Sequence, residues 1–285
     1  MTPKHIFTSL EDAYGKLDYN LLNDCLFHIV FQNNPKALLG LCASLLHMHP
    51  EEIRSVEVLN PIEYGKTPID KEFILDLKVM LNDKRILNFE VQVMDENNWS
   101  ERSLSYACRT FDQLKSGQSY LDVKPVYHIG FLDYDLKGIT PEFYATYKLL
   151  NVKNHEIYSD KFVLSVVNLN QIDKATEEDR KYGIDHWAQL FKATTWEAIK
   201  MLAAKNEYLA EASETMLESY HDACVRTYCE AVEEARRCRR GLEIRLEQAE
   251  AQLQAKDSEL LATQNTLLEK EAEIARLQAL LENKQ

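Results

Sequence analysis

The chain has 285 residues, of which 45% are hydrophobic and 28% charged, and its formal net charge is −13. This composition is typical of a globular protein with one large or two modest domains. The acidic balance argues against broad electrostatic binding of nucleic acid, although a local basic strip or bound metal ions can still bring an acidic protein to DNA. No apolar run approaches the ~18 residues of a membrane span, and the N-terminus has no apolar signal core.

The six cysteines form no CxxC pair, so we expect reduced thiols in a cytoplasmic protein. His221, Cys224 and Cys229 do not have the spacing of a standard zinc site, and ordinary packing is the favoured interpretation. No GxSxG, P-loop or HExxH motif occurs, which leaves triad hydrolases, NTPases and zincins without support. We therefore predict no organic cofactor.

The predicted elements alternate between helices and strands up to about residue 170. Residues 1–20 predict a polar N-terminal arm, and residues 21–47 predict two helices divided at Pro35. Strands are predicted over 53–59, 73–80, 86–93, 125–136 and 160–168, a loop over 60–70, and a helix over 101–117 that stops at Gly117. This order predicts an α/β or α+β core over 21–170, followed by a helical extension over 171–240 and a coiled coil over 241–285.

The coiled coil is predicted from a seven-residue repeat. The repeat consists of Leu246, Leu253, Leu260, Leu267, Ile274 and Leu281. The second core row, three residues on, is largely polar and contains Ala249, Lys256, Thr263, Lys270 and Leu277. We expect a weak or register-selected coil that makes the protein a homo-oligomer through residues 246–281. The alternative is a single charged helix that packs one stripe on its own domain.

The stretch "FILDLKVMLNDKRILNFEVQV" (73–93) predicts a hairpin with the loop Asn82-Asp83-Lys84. In that register one face is apolar, and its pairs are Leu77 with Phe89, Leu75 with Val91, and Phe73 with Val93. The other face pairs Ile74 with Gln92, Asp76 with Glu90, and Lys78 with Asn88. The two carboxylates therefore lie directly opposite each other.

Opposed carboxylates repel each other unless a cation neutralises them. Mg²⁺ takes one or two carboxylates together with waters and phosphate oxygens, so Asp76 and Glu90 form a candidate metal site. Gln92 lies on the same face and could orient a water or a phosphate oxygen, and Lys78 could meet a phosphate charge. The alternative is a solvated outer face whose acids form salt bridges with Lys78 and Arg85.

Five segments resemble, in order and spacing, the PD-(D/E)XK nuclease family transposases, also called recombination-promoting nucleases. The segments are 21–31, 73–79, 88–93, 101–120 and 124–134, and the resemblance covers about residues 18–220. It depends on the combination of the D…ExQ hairpin with the Arg/Tyr-rich helix that follows. The resemblance implies a restriction-endonuclease-like fold, a mixed sheet flanked by helices, and metal-dependent cleavage of DNA phosphodiester bonds.

The resemblance also implies roles for individual residues. Asp76 and Glu90 match the two family acids and would bind Mg²⁺ or Mn²⁺, joined by the carbonyl of Val91. Gln92 stands where the wider superfamily often has lysine, and Asp24 matches a recurrent acid that would reach the metal through water. The residues that match the helix after the hairpin and its exit are Arg102, Tyr106, Gln113, Gly117 and Tyr120.

Two departures from the family pattern are visible. His28 stands where the family usually has lysine, so a phosphate contact from that position would be weaker. Leu75 replaces the proline that gives the family its name, a change that is common in the family.

Basic residues in two places are candidates for DNA contacts. Arg102 and Arg109 share one face of their helix and are predicted phosphate contacts, with ordinary salt bridging as the alternative. The cluster "RRCRR" (236–240) could bind DNA or stabilise the end of the preceding helix. The sequence therefore supports two hypotheses, a metal-dependent DNA endonuclease and a catalytically degenerate interaction protein that assembles through its coiled coil.

Overall fold

A computed structural model of the chain describes residues 7–63, 73–74 and 76–282. The strands are β1 (Val56–Leu59), β2 (Ile62–Glu63), β3 (Phe73–Ile74), β4 (Leu77–Leu81), β5 (Arg85–Gln92), β6 (Val126–Leu132), β7 (Tyr144–Leu150) and β8 (Ile157–Asn168). The helices are α1 (Asp24–Asn33), α2 (Pro35–Leu45), α3 (Trp99–Phe111), α4 (Glu177–Lys181), α5 (Ile184–Lys192), α6 (Trp196–Ala203), α7 (Glu207–His221) and α8 (Ala223–Glu282).

The central element is a six-stranded mixed sheet with the order β1-β4-β5-β6-β8-β7. β6 lies between β5 and β8 and runs parallel to both, while the other neighbouring strands are antiparallel. This architecture confirms the predicted mixed sheet flanked by helices. Within the described residues, no helix has the length and apolar character that crossing a bilayer requires.

The chain divides into two compact units, residues 1–232 and 233–285. α8 begins in the first unit and continues through the second as one helix of 60 residues. The predicted split into an arm, a core, an extension and a coil remains a prediction. The described part of the N-terminal arm packs on the first unit, because Tyr19 is buried and its ring stacks on Tyr220 at 4.3 Å between centroids.

One face of the sheet carries the main apolar core. Alternate residues of a strand point to the same face, so Leu87, Phe89 and Val91 of β5 all enter this core. α1 and α5 cover it with aromatic rings, and the Phe131 ring of β6 stacks on Phe191 at 4.3 Å between centroids.

α3 lies on the opposite face of the sheet, above β6 and β8. Its first residue, Trp99, packs against Gly130 of β6. A Cβ at position 130 would stand 2.1 Å from the Trp99 ring, so only glycine allows this approach. The close contact between α3 and the sheet is what brings the side chains of α3 to the polar residues of β5.

The predicted hairpin is confirmed at its turn and corrected at its base. Leu81 pairs with Arg85 and Leu77 with Phe89, as predicted, and Asn82 and Asp83 adopt the left-handed conformation of the turn. The predicted single strand over 73–80 is wrong, because it divides into β3 and β4 with a bend at Asp76.

The base of the hairpin pairs differently from the prediction. Ile74 pairs with Ile62 rather than Gln92, and Phe73 pairs with Glu63 rather than Val93, in a separate two-stranded sheet. β2 therefore lies inside the segment predicted as a loop. The predicted pairing of Leu75 with Val91 falls on a residue outside the described ones.

Two further elements differ from the sequence prediction. α3 ends at Phe111 rather than at Gly117, which occupies a turn with φ of 87°. Gln113 lies beyond the helix. Its side-chain amide donates to the backbone carbonyl of Lys124 and accepts from the backbone N–H of Lys124, both at 3.1 Å. The strand β7 was not predicted, because most of its residues are exposed and give no clear alternation.

Candidate active site

Glu90 lies in the middle of β5 on the face that α3 covers, and it is 1% exposed. Arg102 of α3 donates to its Oε1 from both Nε and Nη2 at 2.5 Å, and Gln92 Nε2 donates to the same oxygen at 3.2 Å. Burial raises the pKa of Glu90, and Arg102 opposes that rise. The alternative of a solvated outer face is therefore wrong, and the ion partner of Glu90 is Arg102.

The second oxygen of Glu90 has a different environment. Oε2 is buried and accepts no hydrogen bond from the described residues. His128 Nε2 of β6 lies 3.6 Å from Oε2 of Glu90. Burial and the proximity of Arg102 lower the pKa of His128 to about 3, so this ring is neutral near neutral pH. A buried carboxylate oxygen without a donor is a favourable position for a cation.

Asp76 lies at the bend between β3 and β4, and two contacts fix its position. Its Oδ2 accepts a hydrogen bond from the backbone N–H of Val91 at 2.6 Å, and its carbonyl oxygen lies 2.7 Å from the ring Nδ1 of His28. The side chain thus takes a backbone donor of β5, which competes with regular strand pairing and explains the bend.

The pKa of Asp76 is raised to about 7. Burial is the largest cause, the Val91 N–H lowers the pKa, and the negative charges of Glu90 and Asp24 raise it. Both Glu90 and Asp24 therefore act electrostatically on Asp76. A carboxyl group in this state binds a proton readily when no cation is present.

α1 supplies Asp24 and His28 to the site. The helix begins at Asp24 because the side chain of Asn23 caps it, accepting from the Leu26 N–H at 3.3 Å. His28 follows one turn later on the same helix. Its contact with the Asp76 carbonyl gives it a positioning role that the sequence did not predict, since we considered only a weak phosphate contact there.

The predicted phosphate-binding residues lie in different environments. Lys78 is opposite Asn88 in the β4–β5 register, on the same face as Glu90. Arg102 is held by Glu90, so a phosphate contact from this residue would compete with the ion pair. Arg109 lies two turns further along α3 and is half-buried.

The donor set of the site fits a hard divalent cation. Among the residues that the structure describes, no group of three or more His, Cys, Asp or Glu side chains is arranged to hold a metal ion. Mg²⁺ requires less than that, because one or two carboxylates suffice when waters and substrate phosphates complete the shell. Asp76 and the unpaired Oε2 of Glu90 meet this requirement.

The sequence reasoning missed His128. It is fully buried, and neither ring nitrogen has a hydrogen-bond partner in the described part of the chain. Its position in an apolar strand gave no functional signal. Only the parallel pairing of β5 with β6, which places His128 beside Asn88, brings it next to the acids.

The family model described as PD-(D/E)XK nuclease family transposase matches residues 21–238. The chain belongs to this family. Searches of curated proteins and of solved structures gave no match. The family match confirms the resemblance, and it spans the sheet, α3 and the residues of the candidate site.

Proposed function

We propose that this family member is a metal-dependent DNA endonuclease of the recombination-promoting type, which hydrolyses phosphodiester bonds. The observation that carries the proposal is a pair of acids, Asp76 and Glu90, within a nuclease-family fold: the charge of Glu90 raises the pKa of Asp76, and Oε2 of Glu90 accepts no hydrogen bond from the described residues. DNA is the substrate that the family suggests.

In this proposal Asp76, Glu90 and the carbonyl of Val91 would hold one Mg²⁺ or Mn²⁺. A bound ion of this kind polarises the scissile phosphate and lowers the pKa of the attacking water. Gln92 orients that water or a phosphate oxygen, but its amide cannot act as a strong base. Asp24 acts through water.

Positive side chains would position the substrate. Lys78 and Arg109 contact phosphates of the DNA backbone, which fixes the duplex without reading its sequence. Arg102 has a second role, because its guanidinium offsets the charge of buried Glu90 and opposes the rise in the pKa of this carboxyl group. The negative charge of the site is neutralised locally, so an acidic protein can approach a polyanion.

Plasmid cleavage tests the proposal, with Mg²⁺ or Mn²⁺ in one arm and EDTA in the other. We expect the parent protein to nick or linearise DNA only with metal, and Asp76→Asn to lose that activity. Asp83→Asn is the matched control, since it makes the same change at the exposed tip of the same hairpin. Calorimetric titration with MnCl₂ gives a readout independent of cleavage, and Asp76→Asn should abolish the binding.

Metal binding without cleavage, abolished by Asp76→Asn, would favour a degenerate site that keeps its ligands. Cleavage by Asp76→Asn at the parent rate would show that the assigned site is wrong. Neither result depends on the oligomeric state of the chain.

The second candidate function is a catalytically degenerate nuclease-fold protein that assembles as a homo-oligomer through its C-terminal coil. One observation favours it, because Arg102 and Gln92 already occupy Oε1 of Glu90 and leave a single oxygen for metal. Absence of both metal binding and cleavage would support this candidate. Light scattering of the full chain and of a 1–240 truncation tests its assembly. The same number of chains per particle in both would refute assembly through the coil.

A further inference from the structure

The C-terminal part of α8 presents a regular apolar row to solvent. The row, called here the a row, consists of Leu246, Leu253, Leu260, Leu267 and Ile274, which are between 54% and 61% exposed. A second row, the d row, begins four residues before Leu246 and then follows each a position by three residues. It consists of Leu242, Ala249, Lys256, Thr263, Lys270 and Leu277. A stripe of exposed leucines at heptad spacing is typical of a helix that packs against another helix.

We infer that the partner of this stripe is the same helix of a second copy, parallel and in register over residues 242–277. The inference rests on the self-association proposed above and not on the nuclease activity. It adds the orientation and the register, which the charges beside the stripe determine.

In a parallel coil the residues before each a position, the g row, face the e row of the partner five residues later. The g row is Arg245, Gln252, Glu259, Thr266 and Glu273, and the e row is Glu250, Asp257, Gln264, Glu271 and Gln278. In register, Arg245 faces the partner's Glu250 with opposite charge. Each of the remaining four pairs joins one acid to one uncharged residue, so the in-register parallel coil contains no like-charged g–e pair.

A shift of one heptad removes this match. Glu259 of one copy would then face Glu271 of the partner, while Asp257 would face the partner's Glu259 and Glu271 the partner's Glu273. Like charges that face each other across helices are destabilising. The alternation of acids with Gln and Thr in the two rows therefore disfavours shifted registers.

An antiparallel arrangement allows Arg245 to face an acid of the partner's g row on one flank, but the same rows disfavour its other flank. It would place the e row against the e row of the partner, and this row contains three acids and no base. No attractive charge pair can form along that flank. In the parallel coil, by contrast, every acid of the e row faces either Arg245 or an uncharged residue of the partner's g row.

The polar d row also fits the parallel coil. Each d side chain packs into a hole that includes the e residue of the partner at the following position. Lys256 therefore lies beside the partner's Asp257, and Lys270 beside the partner's Glu271. In register each lysine also faces the same lysine of the partner, and the acids beside it in both copies offset this repulsion, so the parallel coil tolerates lysines in a row that usually carries leucine.

The parallel coil has a consequence for the proposed nuclease. Each copy enters the coil at the N-terminal end of the stripe, so both family-matched regions are attached to the same end. A dimer of this kind contains two copies of the candidate site.

Disulfide trapping in the full chain tests orientation and register. In a background where the exposed Cys108, Cys224 and Cys238 are replaced by Ser, Ala249→Cys places a thiol in the d row. Ala251→Cys makes the same change on the outer face of the helix and is the matched control. With diamide as oxidant, we expect most of the Ala249→Cys chains to become covalent dimers and few of the Ala251→Cys chains.

Light scattering of the unoxidised full chain should give the mass of a dimer. Lys256→Glu should raise the dimer dissociation constant several-fold, because it places a second acid beside Asp257 of the partner. Arg276→Glu, the same charge reversal on the outer face, should leave that constant nearly unchanged.

A monomer at all concentrations would overturn the association, and it would leave the metal and cleavage tests of the nuclease unaffected. A dimer in which Ala249→Cys cross-links no better than Ala251→Cys would overturn the parallel register alone. Equal effects of Lys256→Glu and Arg276→Glu would remove the assigned role of Lys256.

Discussion

The two faces of strand β5 have different roles in the protein. Leu87, Phe89 and Val91 point into the apolar core, where α1 and α5 cover them with aromatic rings. Asn88 and Glu90 alternate with them and point to the opposite face, where α3 covers them and keeps both almost fully buried. One strand thus supplies stability through one set of residues and the candidate chemistry through the other.

The two faces also differ in whether their buried polar atoms form hydrogen bonds. The apolar face has no polar atoms to pair, whereas buried polar atoms are costly unless they form hydrogen bonds. On the polar face the side-chain amide of Asn88 donates to Thr110 Oγ1 at 2.8 Å. Two oxygens there, Asn88 Oδ1 and Glu90 Oε2, lack hydrogen-bond partners among the described residues. A bound ligand would therefore gain more binding free energy on the polar face than on the apolar face.

The largest expected effect on stability comes from the apolar face. Phe89→Ala removes a fully buried ring and leaves a cavity, so the free energy of unfolding should fall by about 3–5 kcal/mol. Urea unfolding measures this loss. Phe162→Ala is the control, since Phe162 is only partly buried and should cost less than half as much. Equal losses would contradict the assignment of Phe89 to the core.

On the polar face, Glu90→Gln should affect function more than stability. Removal of the buried charge should lower metal-dependent cleavage at least about 100-fold, because a carboxylate ligand is lost. The fold should tolerate the change, since a buried charge is itself costly and Arg102 keeps 30% of its side chain exposed to water. Cleavage and thermal melting of the same preparation check both parts. Retained cleavage would show that Glu90 is not a ligand.

The turn of the hairpin could be predicted because its determinants are local. Period-two alternation and the Asn-Asp turn set the register that pairs Leu77 with Phe89. The bend at Asp76 could not be predicted, since it depends on a side chain that takes the N–H of Val91 from across the hairpin. The turn of the hairpin was therefore predicted, while the backbone geometry that holds Asp76 was not.

The partner of Glu90 could not be found from the sequence either. Arg102 was recognised as a site residue, but its role was assigned to phosphate rather than to Glu90. The ion pair requires α3 to lie close above β6, from where Arg102 reaches Glu90 of β5, and that placement depends on the contact between Trp99 and Gly130. Such a contact between residues far apart in the sequence leaves no periodic signal.

Gly130→Ala tests whether the placement of α3 maintains the polar face. The added Cβ would overlap the Trp99 ring and push α3 away, at about 1–3 kcal/mol of stability. Arg102 moves with α3, so cleavage should fall as well. Gly241→Ala is the control, because a Cβ there meets nothing within 4 Å and alanine favours the helix. An unchanged melting temperature for Gly130→Ala would contradict the tight packing of Trp99.

The smallest effect is a pH dependence that belongs to the polar face. The pKa of Asp76 is about 7 in the folded chain, above the ~3.9 of an unfolded aspartate, so folding favours the protonated carboxyl group. Its stabilising contribution is complete below pH ~4 and is lost as the pH rises through about 7.

Asp76→Asn imitates the protonated form and keeps an acceptor for the Val91 N–H. In EDTA it should therefore be more stable than the parent at pH 8 and equal to it near pH 4. Urea unfolding across this range measures the difference, with Asp83→Asn as the control at the exposed turn. A difference that is the same at both pH values would mean that Asp76 does not titrate between them.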